Sequence, residues 1–289
     1  MRYLLCLLLV IFTTHLYAEK DRGLVWKLQS DSATVVLMGS IHYADQSFYP
    51  LREDIERAFD MADTLVVEVN MNEAAGHELR KLSHRNGLYK GRETIRDHIS
   101  NETYTRLRAQ LQQLDVPYAM VERQKPGILM LTLTSMQLIK LGFMPDQGID
   151  AYFTRRAQEQ GKRILELETL AQQFDLLLKL DDGDLLLRET LTAFDEIETT
   201  MQVLVSGWKQ GDENKINTLL FEDVLQQYPS YERIYEALFY KRNIAMAASI
   251  EQYLETGGRY FVVIGAGHLV GDKSIISLLR KNGHPVDRF

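Results

Sequence analysis

Two similar stretches decide the fold of this 289-residue chain: residues 35–42, VVLMGSIH, and residues 261–268, FVVIGAGH. Each has four apolar residues, a glycine, two further residues and a histidine. The apolar run predicts a buried β-strand, and the permissive backbone of glycine predicts a sharp turn at its end. The pattern therefore places His42 and His268 at the carboxyl ends of two strands, where open α/β sheets build their sites.

If these strands are neighbours in one sheet, the two histidines converge although they lie far apart in the sequence. Two convergent imidazoles are suited to binding a divalent metal ion. The alternative is that each histidine caps a helix or hydrogen-bonds to a loop. Because one local pattern occurs twice, the metal hypothesis is favoured.

A third apolar run, residues 64–69, contains Glu68. An unpaired carboxylate in a buried strand costs several kcal/mol, so Glu68 needs a partner. One possible partner is a metal ion, with Glu68 as its ligand. Another is a metal-bound water, with Glu68 as general base. The alternative is that Glu68 accepts backbone amides or pairs with an arginine such as Arg242.

Periodicity along the rest of the chain predicts an α/β fold in which a small central sheet is formed by the N- and C-terminal parts, with large helical insertions between them. Tyr49 to Ala62 is expected to form a helix with Pro50 in its first turn. Together with the strands before and after it, this helix predicts a crossover unit with parallel strands. Other strands are predicted at 24–28, 34–38, 163–167, 260–264 and 286–289, and helices at 101–114, 127–141, much of 171–253, and 274–281.

The first residues are typical of a secretory signal peptide: Arg2, an apolar run over 3–12, and a small residue, Ala18, at a cleavage position. We therefore predict a signal peptide over 1–18, a single domain over 19–289 and a periplasmic or secreted protein without stable membrane insertion after cleavage. An uncleaved anchor is the alternative. The only cysteine, Cys6, lies inside this segment, which excludes a cysteine nucleophile from the mature chain.

Composition excludes several functional classes. The chain has 33 basic and 40 acidic residues, a net charge of -7, so nucleic acid is not an expected partner. With 45% hydrophobic residues it has the composition of a folded globular protein. It lacks glycine-rich nucleotide-binding motifs, the His-Glu-x-x-His zinc motif and the nucleophile elbow of serine hydrolases.

Other polar residues are weaker candidates. Arg242 and Asn243 begin an apolar helical stretch, so they could hold a substrate carbonyl or an oxyanion, although a salt bridge from Arg242 is an equal alternative. Glu166 and Glu168 share one face of a strand, and we expect Glu166 to be solvated. Asp150 is expected to act mainly as the N-cap of a helix that begins at the next residue. The histidines predicted to lie at the surface are His77, His84, His98 and His284.

An ordered series of segments resembles the TraB/GumN family across nearly the whole mature chain. It comprises MGSIH at 38–42 with YPL at 49–51, LVVEV at 65–69, GIDAYF at 148–153, LET at 167–169 with QQ at 172–173, RN at 242–243 with MA at 246–247, and 261–271. No single motif is specific, but their order is. Ser40 stands where threonine is common in the family, which keeps the hydroxyl.

The resemblance implies an α/β core shared with erythromycin-esterase-like and ChaN-like proteins, in which paired Gly-x-x-His motifs and a strand glutamate form the active site. The similar animal Tiki proteins are metal-dependent peptidases that prefer manganese or cobalt. By motif match, His42, His268 and Glu68 are the equivalent residues here, with Arg242 and Asn243 in support.

The sequence thus predicts an exported metal-dependent hydrolase of peptide or protein substrates. Manganese or cobalt is the expected metal, and zinc is the alternative. In this hypothesis His42, His268 and Glu68 hold the metal and form the catalytic group, together with Arg242 and Asn243. The alternative is a non-catalytic periplasmic binding or regulatory protein that uses the same cleft for a peptide or polysaccharide fragment.

Overall fold

The computed structural model describes residues 23–178 and 182–289, so the proposed signal peptide and Cys6 lie outside the described residues. Within these ranges, six strands form a single mixed sheet. The strands are β1 Leu24–Gln29, β2 Ala33–Ser40, β3 Thr64–Val67, β4 Arg163–Glu166, β5 Gly258–Gly265 and β6 Asp287–Arg288.

Helices cover both faces of the sheet and form the long connections between β3, β4 and β5. Short 3-10 turns and two π-helical turns, Thr218–Glu222 and Glu236–Tyr240, lie between them. The α-helices are α1 Glu53–Met61, α2 Glu73–Asn86, α3 Asn101–Gln113, α4 Pro126–Lys140, α5 Ile149–Glu159, α6 Leu170–Leu178, α7 Gly183–Ala193, α8 Ile197–Gln210, α9 Glu213–Asn217, α10 Asp223–Gln227, α11 Glu232–Tyr235, α12 Lys241–Thr256 and α13 Ile275–Lys281.

The strand order β4-β3-β5-β2-β1-β6 confirms the predicted α/β class. The four strands β4, β3, β5 and β2 are parallel, and β1 and β6 continue the sheet in antiparallel pairing. The opening hairpin β1–β2 is present as predicted. Strand β5 lies between β2 and β3, so the first and last parts of the chain meet in the middle of the sheet.

The two Gly-x-x-His stretches occupy neighbouring parallel strands, as the convergence hypothesis requires. Gly39 of β2 is in register with Ile264 of β5, and Ser40 with Gly265. The reason for glycine differs from the one expected. Neither Gly39 nor Gly265 has a positive φ. Instead, a Cβ atom on Gly39 would lie 3.3 Å from the Cα atom of Ala266, so glycine allows close approach of the two strand ends.

Two of the differences between predicted and observed boundaries concern the surroundings of the site. Helix α1 begins at Glu53, so Pro50 lies before the helix and not in its first turn. Acidic residues in the first turn, beginning with Glu53, favour a start there because they complement the positive end of the helix dipole. Strand β3 ends at Val67, so Glu68 is the first residue beyond the strand and its side chain is not restricted to one face of the sheet.

The central core packs both faces of the sheet with aliphatic and aromatic side chains. Trp208 of α8 is fully buried, and its Nε1 donates a hydrogen bond of 2.7 Å to the carbonyl oxygen of Gly39. This bond attaches α8 to the end of β2, next to the candidate site. A separate apolar cluster lies among α3, α4 and α7. Within 23–178 and 182–289, no helix is long and apolar enough to cross a lipid bilayer.

A close approach between Gly148 and the loop after β2 sets the position of α5. A Cβ atom at position 148 would overlap the carbonyl oxygen of His42, and the N–H of Ile149 donates to Ile41. We predict that Gly148→Ala lowers the free energy of unfolding by about 2 kcal/mol, because α5 must move away from this loop. Urea denaturation followed by circular dichroism measures the change.

The matched control is Gly76→Ala, at an open position of α2 where the nearest neighbour of the added methyl group is Nη1 of Arg80 at 3.7 Å. A helical glycine replaced by alanine without a clash should raise the free energy of unfolding by about 0.5–1 kcal/mol. Equal effects from both substitutions would contradict the close approach at Gly148.

Candidate active site

The candidate site lies at the carboxyl edge of the four parallel strands. His42 follows β2, Glu68 follows β3, Glu168 follows β4 and His268 follows β5. Parallel strands end at the same edge, so four chemically capable side chains are brought to one place. The backbone N–H of Glu168 donates to the carbonyl oxygen of Glu68 at 3.0 Å, which continues the β3–β4 pairing and places the two glutamates side by side.

Gly265 lies at the centre of this group. A Cβ atom at this position would lie 3.2 Å from Oε1 of Glu68, 3.6 Å from Nε2 of His42 and 3.7 Å from Cδ2 of His268. The three residues that the sequence singled out therefore surround one point, and the missing side chain of glycine leaves the space between them free.

The Glu68 carboxylate is buried and fully engaged by the protein. Its Oε1 accepts a 2.7 Å hydrogen bond from the N–H of Gly265, and its Oε2 accepts one of 2.7 Å from Nη2 of Arg242. Burial alone would raise the pKa of Glu68, but the nearby histidines, Arg242 and the Gly265 amide hold it below its usual range. Glu68 is therefore ionised at neutral pH.

Arg242 joins the two glutamates. Its Nη2 also donates to Oε2 of Glu168 at 2.6 Å and its Nε to Oε1 at 2.8 Å, while Nη1 donates to the carbonyl oxygen of Leu238. Gln173 of α6 donates to Oε2 of Glu68 at 3.2 Å and to Oε2 of Glu168 at 2.9 Å. Each guanidinium nitrogen of Arg242 thus donates to the protein, which suits a positioning residue better than a free oxyanion donor.

His42 is oriented by Asp150. Its Nδ1 lies 2.8 Å from Oδ2 of Asp150, whose Oδ1 accepts a 2.7 Å hydrogen bond from the hydroxyl of Ser40. Asp150 is therefore not the N-cap that the sequence suggested: Gly148 is the N-cap of α5, and Asp150 lies in the first turn and faces the site. In the neutral ring the carboxylate keeps the proton on Nδ1, so the lone pair of Nε2 faces the space at Gly265.

His268 is oriented by Asn243, and the direction of the hydrogen bonds determines its tautomer. The side-chain amide of Asn243 donates to the carbonyl oxygen of Lys273 at 2.8 Å, so its Oδ1 is directed at Nδ1 of His268, 2.5 Å away. An amide oxygen only accepts, so Nδ1 carries the proton and Nε2 has a free lone pair. Asn243 therefore holds His268 and directs no donor into the site.

The two histidines have opposite electrostatic surroundings. The Asp150 carboxylate raises the pKa of His42 to about 9, against the effect of desolvation, while 60% of the His42 side chain is exposed. Burial lowers the pKa of His268 to about 4. Titratable groups with separated pKa values are typical of sites that perform acid–base chemistry.

The donor set fits a divalent metal ion in part. Imidazole nitrogens and a carboxylate oxygen are ligands of manganese, cobalt and zinc, and Asp150 and Asn243 are the kind of partners that orient metal-binding histidines. However, no group of three or more His, Cys, Asp or Glu side chains among the described residues is arranged as a complete metal site. Both Glu68 oxygens already accept hydrogen bonds from the protein, so a cation would be held first by His42 and His268.

Among the weaker candidates, the structure distinguishes surface residues from residues of the site. Glu166 is exposed at the end of β4, as expected, and its Oε1 accepts the N–H of Asn70. His77, His84 and His98 are exposed, and His284 is half-buried near Glu251. Glu168, Gln173 and Asp150 are the site residues whose importance the sequence alone understated. Their positions in the family-like segments were the available signal, because strand and helix periodicity do not distinguish a site residue from a surface residue.

Fold and site together thus define a class of protein: a mixed α/β protein with a histidine–glutamate cluster at the ends of its parallel strands. Comparison of the sequence with protein families specifies this class: a model of the TraB/PrgY/gumN family matches residues 24–288. The chain therefore belongs to the TraB/PrgY/gumN family, which confirms the resemblance drawn from the motifs.

Individual relatives range from bacterial to animal proteins. The chain is 27% identical over 245 residues to the uncharacterized protein YbaP of Escherichia coli (strain K12), covering 84% of this chain and 87% of YbaP. It is 22% identical over 303 residues to metalloprotease TIKI2 of Danio rerio, covering 87% of this chain and 57% of TIKI2, and 23% identical to metalloprotease TIKI1 of the same species, covering 91% and 62%. No solved structure matches significantly.

The raised pKa of His42 provides a test of the Asp150 contact. Replacing the carboxylate by the neutral amide in Asp150→Asn removes the charge that favours protonated His42, so its pKa should fall from about 9 toward 6.5. Titration of the ring protons by NMR in the metal-free protein measures this. Ser40→Ala, which retains the carboxylate, is the control. An unchanged pKa in Asp150→Asn would contradict the assigned contact.

Proposed function

We propose that this chain is an exported metal-dependent hydrolase that cleaves peptide bonds in peptide or protein substrates. The observation that carries the proposal is the convergence of His42, Glu68 and His268 on Gly265, with each histidine oriented by a second side chain. The relationship to metalloproteases over most of the chain supports the same class of reaction. Export rests on the signal-like residues 1–18 and predicts a periplasmic or secreted enzyme.

In this proposal His42 and His268 hold the cation through their Nε2 atoms, and binding displaces the Nε2 proton that the raised pKa of His42 retains at neutral pH. Manganese or cobalt is expected first, and zinc second. When bound, such a cation polarises a carbonyl group and lowers the pKa of a water molecule. Asp150 and Asn243 keep the two rings fixed, so that the nitrogen atoms facing Gly265 do not reorient during the reaction.

Glu68 is proposed as the general base or as a third ligand. Because it is ionised at neutral pH, it can accept a proton, and its Oε1 lies beside the space at Gly265. This carboxylate is positioned by Arg242 and Gln173, which donate hydrogen bonds to its Oε2. Glu168 in turn positions Arg242 by accepting a hydrogen bond from it. Arg242 could stabilise an oxyanion only where substrate binding releases one of its bonds to the glutamates.

The engaged state of Glu68 also favours a second candidate. A non-catalytic periplasmic protein that binds a peptide or polysaccharide fragment would tolerate a glutamate fully paired by Gly265 and Arg242, and would not need a complete group of metal ligands. The two candidates differ in whether the protein binds a metal ion and hydrolyses a peptide.

The metal hypothesis predicts stoichiometric binding of manganese or cobalt by the protein purified after expression of the full chain. The double variant His42→Ala/His268→Ala should lose tight binding while its circular dichroism spectrum is retained, because two of the ligands are gone. Metal content by mass spectrometry and titration calorimetry measure this. His84→Ala, an exposed histidine of α2, is the control. Absence of binding at micromolar concentrations in the unaltered protein would favour the binding-protein alternative.

A separate test concerns Glu68. Glu68→Gln preserves the shape of the side chain but removes its capacity to accept a proton, so peptide hydrolysis in the presence of manganese should fall by about a hundredfold or more. Exposed Glu78→Gln on α2 is the matched control and should leave the rate unchanged. Full activity of Glu68→Gln would exclude Glu68 as the base.

A further inference from the structure

Two hollows reach the candidate site from different sides. The first is a cleft of about 810 Å³ whose wall includes Asp150, Arg155 and Gln173. The second is a pocket of about 340 Å³ beside His268. His42 and Glu68 line both hollows, so a ligand that occupies both must pass directly over these two side chains.

The smaller pocket has an apolar wall beside the polar residues of the site. Its wall includes Leu204 of α8, Leu220 from the π-helical turn Thr218–Glu222, and Leu238 and Phe239 from the π-helical turn Glu236–Tyr240. These side chains are only partly buried, so they offer an unfilled apolar surface. Such π-helical turns occur frequently at functional sites.

This apolar wall is attached to the reactive residues. The carbonyl oxygen of Leu238 accepts a 2.8 Å hydrogen bond from Arg242, and the ring of Phe239 lies 5.1 Å from that of His268. An apolar side chain that enters this pocket therefore takes a defined position relative to both Glu68 and His268.

The larger cleft contains a cation that lacks an acidic partner. Arg155 lies on α5, on the face that also carries Asp150 and Ala151 to the cleft. It is exposed and donates to the carbonyl oxygen of Asp146 at 3.3 Å, and no carboxylate within 23–178 and 182–289 forms an ion pair with it. The adjacent Arg156, by contrast, pairs with Glu56 and Asp60.

The acidic groups of the cleft leave the charge of Arg155 uncompensated. Glu68 pairs with Arg242, and Asp150 contacts His42. Glu73, which also lines the cleft, projects into solvent with 94% of its side chain exposed, near His77. A guanidinium in this setting is suited to a carboxylate of a ligand, which it can bind in a bidentate manner.

We propose that the substrate is an acidic peptide with a large apolar side chain on one side of the reacting bond and a carboxylate on the other. The apolar side chain occupies the pocket formed by Leu204, Leu220, Leu238 and Phe239, and the carboxylate binds Arg155. This proposal rests on the proposed function, because it places the reacting bond over His42 and Glu68. The carboxylate is either an acidic side chain or the carboxyl terminus of the peptide.

The test measures binding of labelled peptides by fluorescence polarisation, with the metal-free protein so that binding is separate from hydrolysis. The peptides are blocked at both ends and contain one leucine and one glutamate, separated by one to four alanines. Parallel series replace leucine by serine, glutamate by glutamine, or glutamate by alanine with a free carboxyl terminus. The last series distinguishes a terminal carboxylate from an acidic side chain.

We expect at least one spacing to bind, and replacement of leucine by serine or of glutamate by glutamine to weaken binding roughly tenfold. The series with a free carboxyl terminus keeps its affinity if Arg155 binds a terminal carboxylate and loses it if Arg155 binds an acidic side chain. Arg155→Gln should weaken binding of the acidic peptide by a similar factor and leave its glutamine counterpart unaffected. Arg163→Gln is the matched control, because this exposed arginine begins β4 at the end of the strand remote from the site. Leu238→Ser should reduce the preference for leucine over serine.

Equal weakening of acidic and neutral peptides by Arg155→Gln would overturn the assignment of the carboxylate to this residue. Equal binding of all peptides by the unaltered protein, or binding of none, would overturn the proposed substrate class. Hydrolysis is then assayed with manganese, cobalt and zinc. Cleavage without these preferences would contradict this inference while the proposed function stands. Arg155-dependent binding without cleavage would support this ligand class and contradict the proposed function.

Discussion

A buried negative charge, the carboxylate of Glu68, is the constraint around which the site is organised. Removing an ion from water is costly unless nearby groups replace its hydration. Here the amide of Gly265 and the guanidinium of Arg242 replace it, and Gln173 adds a weaker contact. Because these partners come from β5, α12 and α6, neutralising one carboxylate brings together parts of the chain that lie far apart in sequence.

Arg242 in turn requires Glu168. One guanidinium between two carboxylates leaves a net negative charge, which the neighbouring histidines and a bound cation can balance. A divalent ion at this point would thus be favoured by the field of the cluster as well as by its imidazole ligands. Glu68 itself stays ionised although it is buried because the neighbouring histidines, Arg242 and the Gly265 amide lower its pKa.

The surroundings of His42 and His268 assign them different properties within one site. His42 is open to the larger cleft and lies beside Asp150, whereas His268 is enclosed and lies against a neutral amide. Their placement also connects chemistry with recognition, because the apolar pocket adjoins His268 and the cleft with Arg155 adjoins His42. Family membership supports a hydrolase, and these two hollows add a basis for selecting among substrates.

Much of this protein could be predicted from the amino-acid sequence. The α/β class, the hairpin, the strands that end near His42 and His268, and the family all follow from apolar runs and from an ordered set of motifs. The secondary-structure elements depend on local periodicity and the family on ordered motifs, and both are present in the chain before it folds. What local patterns could not supply was the role of Asp150, because an aspartate near a helix start has the same local signature whether it caps the helix or faces a site.

Only the tertiary structure decided how the candidate residues are paired. Arg242 contacts Glu68 and Glu168, and Asn243 orients His268, because α12 packs on β2 and β5 with its first turn at the carboxyl edge of the sheet. That Arg155 forms no ion pair within the part of the chain that the structure describes likewise becomes apparent only when the partners of neighbouring charges are known. Such pairings depend on three-dimensional distances between residues remote in sequence, whereas the sequence by itself determined which strands and side chains were available to form them.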